Sequence, residues 1–156
     1  MFFVSDKIYF TVDSANRILP KVRDLVEKII LKQTELDSVK DEIEKLENQG
    51  STPNTYLSKK YDDVEELYSQ LSTLILELQK SGCLLKDINE GLVDFPAIRL
   101  GEQVYLCWKM GEKSVDHWHG VYEGFAGRKR ITPDEFVDPA ELNQAEKSVD
   151  SEYTLM

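Results

Sequence analysis

Both histidines, both cysteines, both tryptophans and seven of the eight glycines of this chain fall within residues 82–130. His117 and His119 stand two apart, so on a β-strand their imidazoles share a face. Two imidazoles and a carboxylate can hold a transition metal. Asp87, Asp94, Glu112 and Glu123 supply the oxygens, with His119 and Glu112 as first choices for ligands. In ordinary structural use the same histidines would be packed or hydrogen-bonded. Asp87 and Asp94 offer a second chemistry, because neighbouring carboxylates push their pKa values apart and can share general acid/base work. An aspartate beside a turn glycine more often caps backbone N–H groups. Asp87-x-Asn89 is not a calcium loop, since the glycine falls a position early and no acid closes the loop.

The loop Gly124-Phe-Ala-Gly127-Arg128-Lys129-Arg130 sets two glycines before three cations. Converging backbone N–H groups and a bidentate arginine can clamp a phosphate or carboxylate. Equally, Arg128 could pair with Asp94 or Glu112, or the loop could dock on the acidic C-terminal segment. Cys107 lies in the apolar run Leu106-Cys-Trp108. A hairpin turning at Met110–Lys113 would pair Lys109 with Ser114, Trp108 with Val115, Leu106 with His117 and Val104 with His119. That register puts Cys107 on the face opposite both histidines and makes it a buried structural thiol rather than a nucleophile.

Two helices and a small sheet are the elements that must position these residues. Thr11 or Asp13 can cap a helix starting near Ser14, and Pro20 should kink it or begin a new one. Val22, Ile29, Leu36 and Ile43 then recur every seven residues, an amphipathic helix with a coiled-coil-like seam. Turn formers at 48–54 interrupt it. Leu57, Val64, Leu71 and Leu78 repeat the period in a second helix that runs to about Lys80 and stops at Gly82. The pair is an antiparallel hairpin some 40 Å long at roughly 1.5 Å per residue. Its flanks Val26, Ile30 and Tyr68 are expected to be partly uncovered and to suit pairing with a second copy. Past Gly82 the period becomes two: strands at 83–86, 92–95, 103–109 and 114–119, with residues 8–11 as a further extended segment. A capped turn at 132–135 and a short helix from Pro139 to Lys147 complete the chain, and the last ten residues are expected to be mobile.

The net charge of −10 is uneven: residues 12–81 carry 10 basic and 14 acidic side chains, 82–130 balance at 7 and 7, and 131–156 carry 1 and 7. Such acidity suits solubility and disfavours general nucleic-acid binding, which needs clustered cations. No apolar run is long enough to span a membrane, no secretion signal is evident at the N-terminus, and the cysteines do not form a disulfide framework. These features point to the cytoplasm.

The runs Gly82-x-x-x-Lys86-Asp87, Gly91-Leu92-Val93-Asp94-Phe95, Leu106-Cys107-Trp108, Gly111-Glu112, Trp118-His119 and Gly124-Phe125-x-Gly127-Arg128 form one pattern. Together with Phe10-Thr11 through Leu19-Pro20, they resemble the prokaryotic domain of unknown function 2203 family over roughly residues 8 to 131. The resemblance implies a helical hairpin with a small β-region and no established activity. It would place a site at Lys86, Asp87, Asp94, Glu112, His119 and Arg128. His117 lies outside that pattern.

The expected protein is therefore α+β, with a long antiparallel helical hairpin packed on a small, mostly antiparallel β-sheet. Residues 1–131 form one domain (hairpin 12–81, β-rich region 82–131), followed by an acidic tail at 132–156. It reads as an interaction or ligand-binding module more than an enzyme. A small anion or protein partner would be held by Lys86 and Arg128, with His119 and Asp94 orienting the site, and the hairpin would support a homodimer. The alternatives are a metal-dependent or hydrolase-like enzyme using His119 with Asp87, Asp94 and Glu112, and RNA binding through the 124–130 loop. The sequence specifies no cofactor.

Overall fold

The computed structural model of the chain describes residues 8–50 and 54–136. Helix α1 spans Val12–Gln49, 38 residues, and α2 spans Asn54–Lys80, 27 residues. Thr11 starts α1 with a reciprocal cap: its hydroxyl accepts from the Ser14 amide and the Ser14 hydroxyl accepts from the Thr11 amide, an arrangement worth about 1 kcal/mol. The helix is continuous through Pro20 rather than restarting there. Proline removes one N–H, but Leu19 and Val22 on either side are buried and hold the turn against the core.

The two helices are zipped along their outer halves by polar pairs. Lys60 and Tyr56 both reach the Glu42 carboxylate at 3.0 Å, Tyr61 donates to Glu47, and Lys40 donates to the Tyr68 hydroxyl at 2.6 Å. Along the seam, Leu36 and Ile43 are buried from α1 and Leu71 and Leu78 from α2. Of the expected uncovered flanks, Tyr68 is exposed and Ile30 partly covered, but Val26 is fully buried. The reason is the turn before the second strand. Gly91, at φ +64°, comes so close that an added Cβ would sit 2.6 Å from Met110 Cβ and 3.3 Å from Val26 Cγ1. Only glycine allows both that backbone angle and that approach. No helix among the described residues is long and apolar enough to cross a membrane.

The sheet has five strands in sequence order, all antiparallel: β1 Leu84–Asp87, β2 Leu92–Arg99, β3 Glu102–Lys109, β4 His117–Gly120 and β5 Lys129–Arg130. Strand alternation separates its faces. Val93, Phe95, Ala97, Val104, Leu106, Trp108 and Trp118 share a core with Leu19, Val22, Val26 and Ile29 of α1. The opposite face carries Asp94, Tyr105, Cys107, His117 and His119. Residues 8–11 are not a strand; the Phe10 amide donates to the Pro96 carbonyl of β2 at 2.7 Å. The Phe10 ring meets Phe95 edge-on, with centroids 5.2 Å apart.

Two expectations fail in this region. The register of β3 and β4 is shifted by one: Cys107 pairs with His117, Leu106 with Trp118 and Tyr105 with His119. The chain does not turn back at Lys113, because the Glu112 side chain takes the Lys109 amide at 2.7 Å and the Glu112 carbonyl accepts from Trp108 Nε1 at 3.0 Å. Asn16 of α1 then clamps Val115, accepting from its amide at 2.7 Å and donating to its carbonyl at 3.2 Å. Residues 114–116 are thereby spent on the helix and β4 begins only at His117. The basic loop also differs from expectation, forming a single 3₁₀ turn at Phe125–Gly127 and then edge strand β5. Thr132–Glu135 forms the expected turn, and Glu135 pairs with Arg99 at 2.6 Å. The helix expected at 139–147 and the last ten residues, expected to be mobile, lie outside the described residues.

Candidate functional site

The register shift gathers the polar residues of the outer sheet face into one connected row. His119 and Asp94 lie at its buried end, 4% and 1% exposed. His119 Nδ1 is 2.9 Å from the Gly120 carbonyl, and Nε2 is 2.9 Å from Asp94 Oδ1. A carbonyl only accepts, so Nδ1 carries a proton, and the Nε2–Oδ1 contact holds another. Burial pushes the Asp94 carboxyl above the ordinary range, while His119, Lys86 and Cys107 pull the other way without cancelling it. Cys107 follows, its Sγ within 4.8 Å of an Asp94 oxygen and a His119 ring nitrogen, with the Arg128 guanidinium near enough to favour its charged form. Burial, reinforced by the Asp94 charge, pushes this thiol up to about 12 despite Arg128. Cys83, also buried, is pushed up to about 12 by burial and is remote from this chemistry in the core.

Arg128 closes the row. It donates to both Glu112 oxygens, at 2.9 and 2.6 Å, and its side chain is 15% exposed. It also stacks 4.3 Å from the Phe125 ring centroid. Burial raises the Glu112 carboxyl, but hydrogen bonds from Arg128 and the Lys109 amide outweigh it, leaving Glu112 below its ordinary value. Beyond Glu112, His117 Nδ1 lies 3.8 Å from its carboxylate and 2.6 Å from that of Asp116. The two histidines share a face as expected but belong to different groups: Asp94–Cys107–His119, and Glu112–Asp116–His117.

A cleft of about 160 Å³ opens over the buried end, lined by Lys86, Asp94, Tyr105 and His119 and roofed by Val121, Glu123, Gly124 and Phe125. Lys86 reaches it through a bulge, since the β1–β2 register slips between Leu85 and Asp87. A bulge re-aims the extra residue, and the Lys86 ammonium lies 5.3 Å from the Tyr105 ring centroid. Among the described residues no carboxylate comes within ion-pair distance of it. Glu123 is already engaged, accepting from the Gly120 amide at 3.0 Å and from Lys129 at 3.1 and 3.2 Å. A Cβ at Gly127 would stand 2.7 Å from Glu123 Oε2, so this glycine admits the glutamate.

Five of the six residues singled out in the sequence thus meet on one face: Lys86, Asp94, Glu112, His119 and Arg128. Asp87 goes elsewhere, capping its own turn by accepting from the Glu90 amide at 3.0 Å. Sequence reasoning missed Cys107 and Tyr105. The signal for both was present in Glu112, an acid able to cap the Lys109 amide and lengthen the loop before His117.

Fold and site together define an α+β domain whose helical hairpin backs a five-stranded sheet carrying a polar cleft on its free face. Over residues 8–131 the chain matches the family described as uncharacterized conserved protein (DUF2203), and it belongs to that family. No curated protein and no solved structure gives a significant match.

Proposed function

We propose that this domain binds a small anionic ligand in the cleft over Asp94 and His119, with Lys86 as its charge partner. The observation that carries the reading is the Lys86 ammonium, set by a bulge at a cleft with a buried polar floor, with no carboxylate within ion-pair distance among the described residues. At roughly 30 Å³ per water, the cleft has room for about five waters, or a carboxylate or phosphate with a short substituent. Val121, Leu92 and Phe125 give the substituent an apolar wall. Arg128, first considered as the clamp, is committed to Glu112 and serves to brace the row.

RNA binding by the basic segment has less support. Arg128 faces Glu112, Lys129 faces Glu123, and Arg130 lies 3.9 Å from Asp116. Each cation is therefore largely offset by a neighbouring carboxylate.

The test is calorimetric titration of the full-length protein, as purified, with inorganic phosphate and short mono- and dicarboxylates. At least one should bind, and Lys86→Ala should weaken it by about tenfold or more, the loss of a charge-assisted contact worth roughly 1.5–3 kcal/mol. Equal affinity in wild type and Lys86→Ala would refute the assignment of the cleft.

A further inference from the structure

We propose that Asp94, Cys107 and His119 form a binding site for one divalent transition-metal ion of the zinc class, with a fourth coordination position open to the cleft. The three residues come from β2, β3 and β4, adjacent strands of one sheet. Each is at least nine-tenths buried, and one donor atom from each lies within 4.8 Å of the others. Around a tetrahedral ion, donors at about 2.0–2.3 Å from the metal stand roughly 3.3–3.6 Å apart. The His119 Nε2–Asp94 Oδ1 contact, at 2.9 Å, would open by a few tenths of an ångström to admit the ion. Mixed oxygen, sulfur and nitrogen donors suit zinc, or cobalt as its spectroscopic substitute.

Three further features favour an ion here over a merely packed cluster. His119 gives its Nδ1 proton to the Gly120 carbonyl and turns Nε2 toward Asp94. A metal-ligating histidine is held in this way, with its second nitrogen on a backbone carbonyl. The charge also balances. The His119–Asp94 pair and the Cys107 thiol are together neutral. A divalent ion displaces the thiol proton and the proton between Asp94 and His119, both released to solvent, and leaves Asp94 and Cys107 anionic, His119 neutral and the total unchanged. The Arg128 guanidinium near the sulfur is already neutralised by Glu112, so it adds little net repulsion and can donate a hydrogen bond to the thiolate.

Asp94 and His119 also line the cleft, and three protein ligands leave the fourth position for water or an anion. The ion itself stands on the triad alone. Only the use of its fourth position rests on the anion-binding reading, with Lys86 as the second contact of the bound anion.

The experiment is uptake of zinc and cobalt by the full-length chain after chelator treatment, read by elemental analysis and by competition with a chromophoric chelator. The expected result is one equivalent per chain, a thiolate-to-cobalt charge-transfer band, and a metal-dependent rise in melting temperature. Cys107→Ser should abolish the band, and His119→Gln should weaken zinc by more than the roughly 10–100-fold typical of losing an outer partner. Cys83→Ser should change neither. Circular dichroism of each metal-free variant confirms that it is folded. No stoichiometric uptake by wild type, or uptake with the cobalt band intact in Cys107→Ser, overturns the site. Metal uptake without anion binding refutes only the anion reading, and anion binding without metal uptake refutes only the metal.

Discussion

Glu112 governs more of this site than any other single side chain. Its two oxygens take both Arg128 nitrogens and the Lys109 amide, and by doing so they set where β4 can begin. Hydrogen bonds to a charged group contribute about 1.5–3 kcal/mol when buried and less near solvent. Glu112→Gln should therefore lower stability by about 1–2 kcal/mol, measured by urea unfolding at neutral pH. The pH dependence has a definite sign. The folded carboxyl titrates below its unfolded value of about 4.3, so its contribution is full above that pH and is lost as pH falls through the depressed folded value. The wild type should lose part of its stability over that acid range, and Glu112→Gln should show a shallower loss. Among residues, charge was legible in the sequence: Arg128 with Glu112 was one of the pairings foreseen. The facing of Cys107 was not, because it depends on a one-residue register that no local pattern fixes.

At the level of elements, the hairpin and its stops are written locally. The heptad-spaced Val22, Ile29, Leu36 and Ile43, the Thr11 cap and the glycine after Lys80 all act within a few residues. The β3–β4 connection is set from far away, by Asn16 bonding Val115 across 99 positions of sequence. Alternation in Ser114–His119 looks like strand, yet the polar clamp outcompetes it and pulls Val115 into the core at 1% exposure. Asn16→Ala leaves a buried amide and carbonyl without their partner, at a cost of about 1–3 kcal/mol. The same substitution should accelerate hydrogen exchange at the Val115 amide while leaving the amides of β2 unchanged. Equal acceleration in both would place the clamp's role in global stability rather than in the loop.

Across the whole molecule, the two sides of the sheet divide the labour. The inner face is apolar and held by α1, so the outer face is free to carry polar groups that would be costly in the core. The bulge at Lys86, the 3₁₀ turn at Phe125–Gly127 and the delayed start of β4 bring Lys86, Asp94, Tyr105 and His119 to one cleft. On the helical hairpin, Leu31 is 63% and Leu76 50% exposed. On this reading the cleft and the buried triad beneath it are one binding site. A crystal structure of the full chain grown with zinc and phosphate tests it most directly. The predicted result is a single ion bonded to Asp94, Cys107 and His119, with a phosphate oxygen in its fourth position and within hydrogen-bond reach of Lys86 Nζ. An intact His119–Asp94 hydrogen bond with no ion, and phosphate bound elsewhere, would contradict it.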